Sequence, residues 1–573
     1  MNASMRPGTV GSKNYGLREW LAAGGISLAA AIAIVSPFFF FGMASGHDIA
    51  FHMASWLDAA GQWKQGIVFP RWTEWANFGF GEPRFIFYPP FSWMFGAFLG
   101  KLIPWKYVGA AFYICVQAFA GLSAYALLRE GTDSRRAARF GALCFVMNPY
   151  ALTIIYARSD FAELLAIAFF PLLLLTALRL CGISRQRPGF KEILAFAIVF
   201  SGVWLSNAPA AVIATYSAGL VFVFSTLQNR AWKPLAKGAT GMLLGFGLAA
   251  FYMIPALYEQ RWVKITGALG GGLAPSENFL YAKTSDSEHD FFNRIASNVA
   301  LMLVTWAVVG AAIVWNTMRR DDRGIKPAML PVITALALAA TLLMLPMTSL
   351  LWRYLPELKF VQFPWRWMSL IAVCAMVFTA LSMKGRIEWI WLLVATAAIA
   401  GSGTYVGNNT WWDTEDMPSL EAALYDGVGF EGTDEYDPIG DDNSDLPQKQ
   451  PRARFVSAAR ERGEHRQIRV SAWTPELRRL RADTPEADRV AIRLLDYPAW
   501  VVTVNGNPSK VEHAAGTAQM IVPVPAGTSE VEIRFTRTWD RTIGGWISAL
   551  TACGSIGLLV WRRRRNASAE TNG

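Results

Sequence analysis

The chain has 573 residues, of which 53% are hydrophobic and only 17% charged, and its formal net charge is +10. Soluble domains carry about 25% charged residues, so this composition predicts an α-helical polytopic membrane protein. The basic surplus by itself would suit nucleic acid, but in a membrane protein basic loops more often set topology, so no nucleic-acid partner is expected.

A span needs about 20 apolar residues. Such runs recur at 22–43, 107–128, 138–156, 161–178, 192–206, 208–228, 238–257, 295–316, 329–349, 367–383, 389–406 and 543–561, about twelve transmembrane helices. The first run contains proline and is not followed by an A-x-A site, so it is expected to stay as an anchor. The short run 91–104 reads as an interfacial or re-entrant helix of the first loop. With that assignment the basic segments Arg129–Arg139, Arg179–Lys191, Arg230–Lys237, Arg319–Lys326 and Arg562–Arg565 fall on the cytoplasmic side, with both termini. All five histidines then lie outside. Ionisable residues are nearly absent from the span interiors, which favours chemistry at the outer face over transport through the middle. The five cysteines, Cys115, Cys144, Cys181, Cys374 and Cys553, form neither a disulfide framework nor a zinc spacing.

The first outer loop, 44–106, is the predicted seat of chemistry. Its stretch Ser45–Pro90 holds His47 and His52 on either side of Asp48 and ends in Glu82, Pro83, Arg84, Tyr88, Pro89 and Pro90. After residue 406 an acidic run at 413–445 reads as solvated surface, or as a segment in which Gly429–Asp442 folds back over the active face. From about 453 the period becomes two: Trp500, Val502 and Val504 alternate with polar or exposed positions, as do Val531, Ile533 and Phe535. Asn505-Gly506 is a hairpin signal. The expected domains are a transmembrane unit at 1–406, an extracytoplasmic acidic segment with a small β-sandwich at 407–541, and a last span with a basic tail at 542–573.

The order of motifs GHDIAFH (46–52), FPRW (69–72), NFGFGEPRFIFYPP (77–90), YARSDFAE (156–163), FYMIPALYE (251–259), QFPWRW (362–367), GFEGTDEYDP (429–438) and DYPAWVVTVNG (496–506) resembles the GT-C superfamily of integral-membrane glycosyltransferases. More closely it resembles the bacterial YfhO-type proteins, including those labelled 6-pyruvoyl-tetrahydropterin synthase-related membrane proteins. Nothing in these residues supports a pterin enzyme. One departure is Ser206-Asn207-Ala208-Pro209, where such proteins often carry a histidine. The resemblance implies a transferase in the bacterial inner membrane, with its active face periplasmic. It would move a sugar from a polyprenyl-phosphate donor to an envelope lipid or polysaccharide acceptor, with inversion. The alternative is a non-enzymatic transporter or binding protein for an envelope glycolipid.

In the family resembled, an acidic residue just after the first span binds the acceptor or a divalent cation, such as Mg or Mn, and acts as base; here that is Asp48. The competing role for Asp48 is an N-cap. His52, four residues on, shares a helical face with Asp48, so the two could hold one metal with a further carboxylate; interfacial packing is its alternative, and His47 is a weaker candidate. Asp160 and Glu163 are three apart and on one side of a helix, where they could complete the catalytic set, or simply cap the span. Arg71, Arg84, Arg158 and Arg366, with Tyr88, are candidates for the donor phosphate, since the guanidinium fork matches phosphate oxygens. Glu259 closes a span at the outer rim.

Overall fold

In the computed structural model, residues 16–183, 189–318, 329–439, 443, 446–457 and 466–571 are described. Among them ten helices are long and apolar enough to cross a membrane. An eleventh crossing would come from Met329–Leu343 and Pro346–Tyr354, which meet at 93°. Twelve straight spans were expected. The twelfth is Phe190–Trp204, with only 15 residues, about 22 Å at the α-helical rise and below the usual length of a span; it nevertheless runs from Arg562 of the basic tail, which lies over Phe190, to the first loop, where the Leu205 carbonyl accepts from Phe91 N–H. Pro90–Leu102, at 13 residues, is too short to span and stays in the first loop. It lies along the loop helix Ile49–Lys64, where Gly96 leaves room for Trp56; a Cβ at Gly96 would come within 2.3 Å of the indole.

Local signals start the helices. Asn148 accepts from the backbone N–H of Tyr150 and Ala151, Asn207 from that of Ala210, and Asp160 from that of Glu163, each satisfying an orphan donor of a first turn. Small residues let long helices approach, as expected in lipid. The helices Lys233–Glu259 and Trp539–Thr571 pack so closely that a Cβ on Gly544 would lie 2.5 Å from the Ala250 carbonyl. Ser548 Oγ donates to the carbonyls of Gly247 and Leu248 at 3.0 Å across the same seam.

A short antiparallel pair, β1 (Met43–Ala44) with β2 (Trp412–Asp413), ties the exit of the first span to the start of the acidic segment. That segment does fold back over the first loop. Phe78 N–H donates to the Phe430 carbonyl and Phe430 N–H to the Trp75 carbonyl, while Thr433 N–H donates to Glu82 Oε2 at 2.8 Å. Residues 440–442 of the expected stretch lie outside the described residues.

The C-terminal strands form the expected sandwich. One sheet has the order β3 (Ala453–Phe455), β6 (Asp488–Leu495), β10 (Gln519–Val524), β9 (Glu512–His513). The other has the order β4 (Gln467–Thr474), β5 (Leu477–Thr484), β11 (Gly527–Phe535), β7 (Trp500–Val504), β8 (Asn507–Pro508). Asn505 and Gly506 have φ of 54° and 78° at the β7–β8 hairpin, the left-handed pair that this turn requires. Trp500, Val502, Val531, Ile533 and Phe535 are buried. Their core is continuous with Trp72, Phe80, Ile86 and Phe87 of the first loop. The sandwich and the loop therefore share one hydrophobic core.

Candidate functional site

The site begins with a break in helical geometry. After Pro149–Thr153 the chain widens into a π-turn, Ile154–Arg158, and ends at Ser159 in the left-handed conformation (φ 56°). Single π-turns within helices are frequent at functional sites. This one places Arg158, Ser159 and Asp160 against the start of the first loop. Gly46 N–H donates to Ser159 Oγ (3.0 Å), Ser159 Oγ donates to the Ala44 carbonyl (2.8 Å), and Asp48 N–H donates to the Arg158 carbonyl (2.9 Å).

Around this junction buried charges balance one another. Arg158 Nη2 meets Asp48 Oδ2 at 2.5 Å and Asp160 Oδ2 at 3.5 Å, and its Nη1 lies 3.4 Å from Glu163 Oε2. Arg366 Nε donates to the same Glu163 oxygen at 3.0 Å, and its Nη2 lies 3.6 Å from Asp160. Tyr150 donates its hydroxyl to Glu163 Oε1. Both guanidiniums also lie over the Phe363 ring, at 5.0 Å for Arg158 and 4.7 Å for Arg366. Ions this deep survive only when paired and hydrogen-bonded. Burial pushes the Asp160 carboxyl up, but His52 and the two guanidiniums outweigh it and hold Asp160 below the usual carboxylate range. The Asp48 side chain is 33% exposed, against 5% for Asp160 and 2% for Glu163.

Asp48 faces a cavity of about 1400 Å³. The first loop supplies His47, Phe51, His52, Arg84 and Tyr88, the spans supply an apolar wall that includes Val212, Phe246 and Leu257, and Phe430 to Tyr436 contributes a further wall. The departure at Ser206–Pro209 belongs here too: Asn207, Ala208 and Pro209 line the cavity.

Asp48, Asp160, Glu163, Arg158 and Arg366 thus form one cluster. Asp48 sits at the N-cap position of Ile49–Lys64 but makes no side-chain capping bond; Asp160 is the carboxylate that caps. Asp48 and His52 do not share a ligand position: Asp48 engages Arg158, while His52 Nε2 lies 3.5 Å from Asp160 Oδ1. Among the described residues no three His, Cys, Asp or Glu side chains converge to hold a metal ion. As arranged, the Asp48 and His52 side chains do not converge on one cation. The His52 ring packs against Phe161 and Tyr88. His47 packs its ring on Phe292, and burial pushes its imidazole below the usual value.

Three expected site residues take other roles. Arg84 lines the cavity, but its fork is committed to Glu82 (2.5 Å), Ser55 Oγ (3.1 Å) and Thr433 Oγ1 (3.0 Å), which fastens the acidic segment to the loop. Glu259 lies away from the cavity, accepting from Arg541 Nε (2.6 Å) and Nη2 (2.7 Å) and from the Tyr497 hydroxyl (2.5 Å). Arg71 belongs to that same joint: burial lowers it to about 10, and the charges acting on it include Arg541 and Glu259. Its guanidinium lies 4.3 Å over Phe69.

Sequence reasoning missed Glu435, which lines the cavity, and Gln362, whose Oε1 accepts from Arg366 at 3.0 Å. Gln362 has a left-handed φ of 63°, a strain no sequence pattern marks. Glu435 lay within an acidic run, where composition alone cannot separate one inward carboxylate from its solvated neighbours.

No curated protein matches the chain. A family profile described as "6-pyruvoyl-tetrahydropterin synthase related domain; membrane protein" matches residues 85–410. The matched stretch takes in Arg158, Asp160, Glu163 and Arg366, while Asp48 and Glu435 lie outside it. Because the match covers more than half of the 573 residues, the chain belongs to this 6-pyruvoyl-tetrahydropterin synthase related family of membrane proteins.

Proposed function

We propose that this protein is a GT-C-type glycosyltransferase of the bacterial inner membrane, acting at the periplasmic face on a polyprenyl-phosphate sugar and an envelope lipid or polysaccharide acceptor. The observation that carries the proposal is the partly exposed Asp48 carboxylate, which meets Arg158 at 2.5 Å at the edge of a cavity of about 1400 Å³. A polyprenyl-phosphate donor is apolar along its tail and anionic at its head. The wall at Val212, Phe246 and Leu257 suits the tail, and Arg158 and Arg366 suit the phosphate that leaves.

In the proposed reaction an acceptor hydroxyl oxygen attacks C1 of the donor sugar. The bond from C1 to the phosphate oxygen breaks, and its electron pair leaves with the polyprenyl phosphate. Asp48, fixed by Arg158, accepts a hydrogen bond from the attacking hydroxyl and orients it. Asp160 and Glu163 hold the two guanidiniums in register.

The test is transfer of radiolabelled hexose from polyprenyl-phosphate hexoses into envelope material of membranes that lack the native protein, with the purified chain added back. Asp48→Asn keeps the shape but removes the charge. The expected loss is about 10²-fold, the scale of a removed polar group at a reacting centre. Absence of transfer by the wild-type chain from every hexose donor tried, with the deletion strain's lipids and polysaccharides unchanged, overturns the proposal.

A further inference from the structure

The reaction as proposed leaves one atom without a destination: the proton of the attacking hydroxyl. Asp48 Oδ2 is already occupied by Arg158 at 2.5 Å, and Asp160 and Glu163 are buried within the same ion-pair cluster. A proton acceptor should face the cavity, be free of a cationic partner, and be rigidly mounted.

Glu435 meets all three conditions. It lines the cavity with Asp48. The cation that acts on it, Arg84, is ion-paired to Glu82 at 2.5 Å. Its mounting is the short 3-10 turn Asp434–Tyr436, held from both sides. Before the turn, Thr433 N–H donates to Glu82 and Thr433 Oγ1 accepts from Arg84. Gly432 touches Asn77 so closely that a Cβ would fall 1.9 Å from its side-chain oxygen. Within the turn, the Tyr436 ring stacks on Phe87 at 5.8 Å and 8°. After it, Asp437 Oδ1 accepts from Asn77 Nδ2 at 3.0 Å, and the Asp437 carbonyl accepts from Lys264 N–H at 2.9 Å.

We infer that Glu435 is the general base of the site. This rests on the transferase reading above. The acceptor O–H proton passes to a Glu435 carboxylate oxygen as the oxygen forms its bond to C1; the C1–O bond to phosphate breaks, and the electron pair departs on the polyprenyl phosphate. The surroundings favour the role. Burial pushes the Glu435 carboxyl above the usual range and Asp434 and Asp48 add to the rise, while a hydrogen bond from its own backbone N–H and the Arg84 charge oppose it. A base works best when its own value approaches the working pH.

The experiment joins a pH profile to chemical labelling of the full-length chain. Wild-type transfer should fall on the acid side as Glu435 takes up its proton. Glu435→Gln should lower transfer about 10²-fold or more and abolish that acid limb, with polyprenyl-phosphate binding unchanged. Asp48→Asn should lower transfer but keep the limb. Dicyclohexylcarbodiimide, an apolar reagent that adds to protonated carboxyls, should label Glu435 at mildly acid pH, and undecaprenyl phosphate should protect it. Should Glu435→Gln fail to fold, Glu435→Asp serves, with reduced transfer and a displaced limb expected. Wild-type transfer and an unchanged limb in the Glu435 variant overturn the inference and leave the transferase reading intact. No transfer by the wild-type chain from any hexose donor overturns both.

Discussion

Gly46 has no room for a side chain: a Cβ there would lie 2.4 Å from the carbonyl carbon of Arg158. That close approach lets Asp48 reach Arg158, so backbone fit at one residue sets the geometry of the charge cluster. Gly46→Ala is expected to cost about 1–3 kcal/mol, the usual range for overpacking, and to lower transfer by separating Asp48 from Arg158; thermal unfolding of the detergent-solubilised chain and the transfer assay check both. A second residue-scale prediction concerns Asp58. Its carboxylate oxygens accept from Gln62 (2.6 Å) and from Trp75 N–H (2.9 Å). Burial, helped by Glu74, raises this carboxyl from 3.8 to about 7. A carboxyl raised by folding favours the protonated native state. Its contribution is therefore full below about pH 4 and is lost as pH rises through about 7. The unfolding midpoint should fall between those values, and Asp58→Asn should flatten that part of the curve. An identical pH dependence in the variant would show that Asp58 does not titrate in this way.

At the scale of elements, what the sequence revealed was what depends on period and length. The apolar runs appear as helices, and the alternation at Trp500–Val504 and Val531–Phe535 appears as paired strands. The three-residue spacing of Asp160 and Glu163 brought both to Arg158 and Arg366. What stayed hidden depends on partners far apart in the chain. Phe190–Trp204 is apolar enough for a span, but its length was set by Asn207 starting the next helix. Arg84 looked free for phosphate until Thr433, 349 positions away, claimed its fork. Glu259 and Arg541 are 282 positions apart, and neither signals the other in the sequence. Their joint carries the third prediction. Glu259→Gln leaves Arg541 buried without its counter-charge, and breaking such a pair costs about 3–5 kcal/mol. The sandwich should then be cut faster in limited proteolysis, while a variant at exposed Glu530 should digest like the wild type.

Over the whole molecule, charge is sorted by position in the bundle. Buried Glu19 joins Arg129 (2.6 Å) and the exposed Arg135 (3.0 Å), and nearby chain segments meet again in Arg179 with Glu130 (2.8 Å). These are basic segments that the positive-inside rule assigns to the cytoplasm. Helices that leave this group, such as Trp105–Gly131 and Phe161–Leu180, have opposite ends near the first loop, where Asp48, Arg158 and the segment before Tyr436 gather around the cavity. The sandwich shares its core with that same loop, so the cavity and the sandwich belong to one side and the basic group to the other. The expected sidedness follows as a prediction. In a chain whose five native cysteines are replaced, single cysteines at Ser276 and Ser509 should react with an impermeant thiol reagent applied to intact spheroplasts, and one at Asp133 should react only after the membrane is opened. Pro90–Leu102 decides the arithmetic. At 13 residues it is short of a span, and were it to cross, every later loop would exchange sides. Labelling at position 133 from outside, with none at 276, would overturn this sidedness; because Asp48 and Arg158 are in contact, the cavity would then lie out of reach of a periplasmic acceptor.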